Sequence, residues 1–274
     1  MKSPTPGSPG SRGMTGKCSL TAICLIMVLI WGALPALAQP DRHDEQDEAA
    51  SPGALAQYRK GERLAKEGQF TEAIIAYRQA ISREPAFVQA YYEMGLAYAA
   101  LKQYPDAVKS FKQAARLQPD MDLIYESLGV VYIKMGQWRE ARDALAEAIR
   151  LKPDGPEAHY NLGLAYGKLN RDQEARAQFA EAVRLAPNMA KAHKNLGLAY
   201  LNLGQMDQAR KSLQEAARLD PKDPQAHYAL CVYYARTGEA QAANREFQAL
   251  KALDPKLAET LANQMRPGAP GKKP

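Results

Sequence analysis

The residues best suited to chemistry are three histidines, His159, His193 and His227, which recur at intervals of 34. Imidazole is a common zinc ligand, but zinc gathers its ligands within about 2 Å of one point. Residues one such interval apart in a stack of helix pairs would stand roughly 10 Å apart, the ordinary spacing of packed helices. The three rings therefore read as packing residues, at a position held by Tyr91 and Tyr125 elsewhere in the chain. Cys231 is expected to be a small, inert core residue. No serine, cysteine or carboxylate stands beside a base in a nucleophile arrangement, and there is no glycine-rich phosphate loop or CxxC pair. The reading is of a non-catalytic chain with no metal site and no cofactor.

The interval itself carries more information than the histidines. Prolines recur at Pro85, Pro119, Pro153, Pro187, Pro221 and Pro255, and twelve residues before each lies an alanine, from Ala73 to Ala243. Six units follow without insertion, 54–87, 88–121, 122–155, 156–189, 190–223 and 224–257. Within a unit the apolar residues have helical spacing: His159, Leu162, Gly163 and Tyr166 share one face, and Ala175, Phe179 and Ala182 share another. Gly68, Gly136, Asn170, Gly204 and Gly238 separate the two helices and suit a left-handed cap, with Lys102 the one departure. Glycine at the eighth position, from Gly61 to Gly197, lets the first helix approach the second closely. A hairpin with two apolar sides must stack on neighbours, and its ends need capping. Residues 258–266 are predicted to be that capping helix, 39–53 an acidic flexible linker and 267–274 a disordered tail.

The pattern Tyr/His-x-x-Leu-Gly-x-x-Tyr, then Ala-x-x-x-Phe/Leu-x-x-Ala, then Pro, resembles the tetratricopeptide repeat (TPR) family. The resemblance implies an all-α, right-handed solenoid of six helix pairs plus a capping helix. It also implies a concave face, lined by the first helix of each pair, that binds a peptide or partner protein. Residues mapped to that face are Tyr58, Tyr92, Tyr160, Lys194 and Tyr228 at the fifth position of a unit, and Leu96, Val130, Leu164, Leu198 and Val232 at the ninth. Lys134, Lys168 and Arg236 at the thirteenth form a basic edge, and Asn161, Lys191, Lys194 and Asn195 a polar cluster. The Lys/Asn clamp with which chaperone-binding members grip a C-terminal carboxylate is absent as such. The expected groove thus has an apolar floor flanked by tyrosines, and Tyr offers large contact area with little entropy loss.

The N-terminus places the array. Lys2, Arg12 and Lys17 precede an apolar run from Leu20 to Leu34, followed by Ala36-Leu37-Ala38. This three-part pattern predicts a secretory signal over 1–38 with cleavage after Ala38; the rival is an uncleaved membrane anchor. Without 1–38 the net charge falls from +6 to +3, and no basic block of nucleic-acid type remains. The expected partner is accordingly a segment of another exported or envelope protein, met in the periplasm. Nucleic acid is not expected, and membrane only if the signal is retained. A different reading is a self-associating structural subunit of a secretion, pilus or envelope complex.

Overall fold

The computed structural model describes residues 50–265, all within one compact unit of the chain. The signal, most of the linker and the 267–274 tail lie outside the described residues. Within them are thirteen helices and no strand. Helices α1 (Pro52–Lys66) and α2 (Phe70–Arg83) form the first hairpin, α3 (Val88–Ala100) and α4 (Tyr104–Leu117) the second, and α5 (Asp122–Lys134) and α6 (Trp138–Leu151) the third. The series continues with α7 (Pro156–Lys168), α8 (Asp172–Leu185), α9 (Ala190–Asn202), α10 (Met206–Leu219), α11 (Pro224–Thr237) and α12 (Ala240–Leu253). Helix α13 (Pro255–Met265) closes it. Each helix packs on the next in sequence, and first helices also touch the first helices of neighbouring hairpins. The fold is an all-α solenoid.

The punctuation works as its chemistry dictates. Every second helix ends two residues before its proline, because the residue preceding proline is forced out of the helical region; Glu84, for example, sits at φ −134°, ψ 90°. The six turns inside the hairpins all place one residue in the left-handed region, with φ between 57° and 78°. Lys102 does so at φ 59° although it is not glycine, and the strain is on the order of 1 kcal/mol. The repeated geometry overrules the local residue. The capping helix begins at Pro255, three residues earlier than predicted. Proline is well placed in a first turn because its missing N–H is not needed there, and Asp254 Oδ1 accepts from Leu257 N at 3.0 Å.

Close approach explains the eighth-position glycines. A Cβ on Gly61, Gly95, Gly163 or Gly197 would lie 2.5–2.6 Å from a side-chain atom of Tyr77, Phe111, Phe179 or Leu213 respectively. In the sixth hairpin Cys231 takes the glycine's place, and the equivalent ring, Phe247, is only half-buried. Leu250, replacing a small alanine, then fills the space and joins Cys231, Ala258 and Leu261 in a cluster that anchors α13. The expectation for Cys231 holds: it is buried, its Sγ donates to the Ala243 carbonyl, and burial pushes its thiol up to about 12.

Candidate partner-binding face

The three histidines serve the frame. His159, His193 and His227 each place Nε2 within 2.8–3.0 Å of the carbonyl oxygen of the proline six residues earlier, which ties each first helix to the loop before it. Nδ1 of His159 meets Gln178 and that of His227 meets Glu246, both at 2.7 Å. Burial opposes the charge on His227, but the bonds to Glu246 and Pro221 outweigh it and raise the pKa. No metal-binding cluster occurs among the described residues.

Of the sixteen residues mapped to the first-helix face, four are buried: Tyr58, Tyr92, Val130 and Asn161. In the first two hairpins the fifth position lies in the seam with the next hairpin, and the rings of Tyr58 and Tyr92 are consumed by packing there. Tyr58 stacks 4.9 Å from Phe87, and Tyr92 packs 5.6 Å from Phe111 while its hydroxyl meets Ser127 Oγ at 3.2 Å. Nine are half-buried: Leu96, Tyr160, Leu164, Lys191, Lys194, Asn195, Leu198, Tyr228 and Val232. Lys134, Lys168 and Arg236 are exposed. Leu96, Leu164, Leu198 and Val232 hold the ninth position in the second, fourth, fifth and sixth hairpins and are half-buried, whereas Val130 at the same position of the third is buried.

Much of the polar cluster is internally engaged. Lys194 pairs with Asp223 at 2.6 Å, and Lys191 Nζ stands 4.7 Å above the Tyr160 ring. Asn195 Nδ2 donates to the Tyr160 hydroxyl at 3.2 Å and to the Lys191 carbonyl at 2.9 Å. Two of these bonds belong to a ladder: Tyr92 to Ser127 and Tyr160 to Asn195 join residues 35 apart, the fifth position of one hairpin to the sixth of the next. The rung between them is Glu126 and Asn161, and it is open. Glu126 Oε1 and Asn161 Nδ2 are both buried without a hydrogen-bond partner.

Acidic side chains form the feature that position-by-position reading misses. Glu62, Glu93, Glu126 and Glu157 stand at the ninth, sixth, fifth and second positions of successive units. Their steps of 31, 33 and 31 residues are shorter than the repeat, so the row runs obliquely across the first helices. A search for carboxylates at slightly less than the repeat interval would have found it. Burial pushes the Glu126 carboxyl up to about 7, helped by Glu157 and Asp122 and opposed by Lys152 and Lys191. Glu93 is likewise pushed up to about 7 by burial and by Glu62, against Lys66.

Residues 20–266, most of the chain, match the family described as the cilia and flagella-associated protein 70 C-terminal domain, a tetratricopeptide-repeat family. The chain belongs to that family. The tetratricopeptide array also resembles solved structures. MamA is 28% identical with a TM-score of 0.57, over 59% of this chain and 95% of its own. YrrB, described as a TPR protein with an unusual peptide-binding site, is 22% identical with a TM-score of 0.60, over 69% and 98%. PilF of Pseudomonas aeruginosa is 17% identical with a TM-score of 0.67, over 81% and 99%. No curated protein sequence matches the array.

Proposed function

We propose that the protein is a non-catalytic scaffold that holds a segment of another exported or envelope protein against its first-helix face. The observation that carries this reading is the apolar row Leu96, Leu164, Leu198 and Val232. Its members keep solvent-facing surface at one register of the first helices, whereas a purely structural stripe would be buried. YrrB's peptide-binding site, on the same fold, supports it by analogy. Export rests on the three-part N-terminal pattern, and no helix among the described residues is long and apolar enough to cross a membrane.

The test uses half-buried residues; because Leu164 and Leu198 also pack one side against the core of their hairpins, the variant must be shown to remain helical. Tyr92 is a poor choice, since a charge at its buried site would unfold the seam. Leu164→Asp with Leu198→Asp should abolish capture of the partner from an envelope fraction while the circular dichroism spectrum stays that of the parent. Capture by a helical double variant would remove the first-helix face from the reading.

A second reading, end-to-end assembly, is favoured by an apolar cleft on the first hairpin. In later hairpins eleventh-position tyrosines reach back to the preceding hairpin: the Tyr98 ring lies under Arg78, and the Tyr234 hydroxyl accepts from Gln214 Nε2 at 3.1 Å. At the equivalent position of the first hairpin, Leu64 lines a cleft of about 300 Å³ with Ile75, which is 52% exposed. Light scattering decides between them: a stable oligomer unaffected by the two aspartates would favour assembly.

A further inference from the structure

The three histidines share one bond, from ring nitrogen to proline carbonyl, and differ in what meets the other nitrogen. That partner comes from the second helix of the same hairpin, and it is Gln178 for His159 but Glu246 for His227. The difference decides what charge the ring must carry, because a neutral imidazole has one N–H and one lone pair. His159 can satisfy both bonds while neutral: Nε2 donates to Pro153, and the Gln178 amide, turned over, donates to Nδ1. His227 cannot. It faces the Glu246 carboxylate at 2.7 Å and the Pro221 carbonyl at 3.0 Å, and both only accept. Both bonds form together only when each ring nitrogen carries a proton.

The charges that act on the ring favour that state. Glu246 of α12 and Asp223 at the head of α11 are both negative. Of the other elements packed on α11, α9 contributes Lys194, which is bonded to Asp223, and Arg210 and Arg218 of α10 pair with Glu239 and Glu215. Lys211 of α10, Arg245 and Lys251 of α12, and Lys256 and Glu259 of α13 are exposed. Burial would lower the pKa of the ring, but the bonds to Glu246 and Pro221 outweigh it and raise it above the ordinary 6.5. The pair also sits on the second helix with the fewest buried residues. Leu250 alone is buried in α12, whereas the second helices of the other hairpins bury three to five each. Helix α13 depends on the same two helices, through the cluster of Cys231, Leu250, Ala258 and Leu261 and through the Tyr228 hydroxyl, which donates to Gln264.

We propose that His227 and Glu246 form a pH-operated latch on the last hairpin: the charged pair holds α12 against α11, and loss of the ring proton releases α12 together with α13. The folded chain holds this proton more tightly than the unfolded chain does. The latch therefore contributes fully below about pH 6.5, and its contribution is lost as pH rises through the higher folded value. Once deprotonated, the ring keeps one N–H, so either Glu246 or Pro221 is left facing a lone pair, at a site where the His227 side chain is only 12% exposed. The latch acts whichever face of the array receives a partner.

Amide hydrogen exchange of the full chain, read by mass spectrometry at pH 6 and pH 9 and corrected for the intrinsic rate, tests the latch. Relative to α8, protection of residues 240–265 is expected to fall about tenfold at the higher pH, the worth of one hydrogen bond to a charged group. Glu93 and Glu126 titrate in the same range, but their contribution is common to the parent and to variants at Glu246. Glu246→Gln gives His227 the partner that His159 already has. It should keep the protection of 240–265 at pH 9 and abolish its pH dependence, whereas Glu246→Ala should lose protection at both pH values. The same tenfold fall in Glu246→Gln, no fall in the parent relative to α8, or parent-like behaviour of Glu246→Ala would overturn the latch. Nitrogen-15 NMR of the ring gives a second reading: protons on both nitrogens of His227 are expected at pH 6, and a singly protonated ring there would also overturn it.

Discussion

Gly163→Val is expected to destabilise the protein by about 3 kcal/mol, among the largest effects of any single substitution. The first and second helices of the fourth hairpin meet so closely that even a bare Cβ would stand 2.6 Å from the Phe179 ring. Phe179 is itself buried between Ala175 and Leu196, so it has no free space to enter. Overfilling such a contact forces strained rotamers or parts the helices, typically at 1–3 kcal/mol, and valine's branching adds to it. Because each hairpin is stabilised by its neighbours, separation at the fourth would weaken the interfaces on both sides. Gly136 is the informative contrast. It has φ 73° and nothing within 4 Å of a would-be Cβ, so Gly136→Ala should cost only about 1 kcal/mol, through backbone strain. Thermal unfolding followed by circular dichroism measures both; equal losses at the two sites would show that close approach does not govern the eighth position.

Glu126→Gln should stabilise the protein, and only above a definite pH. The carboxyl is buried, has an unbonded oxygen, and holds its proton up to about 7 when folded, against an ordinary value of 4.5. The native state therefore binds more protons than the unfolded chain between those values, and stability is lost as pH rises through the window. At pH 8 the ionised group costs up to about 3 kcal/mol that the neutral amide does not. Below pH 4.5 both states are protonated and the gain should vanish. Melting curves of the two proteins at pH 8 and pH 4 check this; a gain of the same size at both would mean that the charge is not the cause. Destabilisation retained at the middle of the first-helix face is what a binding site asks of a scaffold.

Legibility in the sequence followed the range of the interactions. Proline, glycine and alanine positions report on one hairpin and its immediate neighbour, so the six units and their turns could be read directly. The turn at Lys102 could be placed only because the other five were recognisable. The histidines were correctly assigned to packing, but their bonds to Pro153, Pro187 and Pro221 depend on how a loop folds back on the next helix. The face was read less well. Position along a helix says which side a residue is on, but not how deeply the adjoining hairpin covers it. Tyr58 and Tyr92 therefore looked like surface and are seam. The acidic row escaped for a geometric reason: it advances by less than one repeat per hairpin and crosses the columns in which the positions were compared.

The most direct measurement places a photoreactive phenylalanine analogue at Leu164, on the half-buried apolar row, and separately at Ala177, exposed on the second helix of the same hairpin. Both proteins would be irradiated in the envelope of the cells that make them. A discrete cross-linked partner from Leu164 and none from Ala177 is the outcome a scaffold working through its first helices requires. A partner captured from Ala177 alone would put the binding surface on the opposite side of the hairpins.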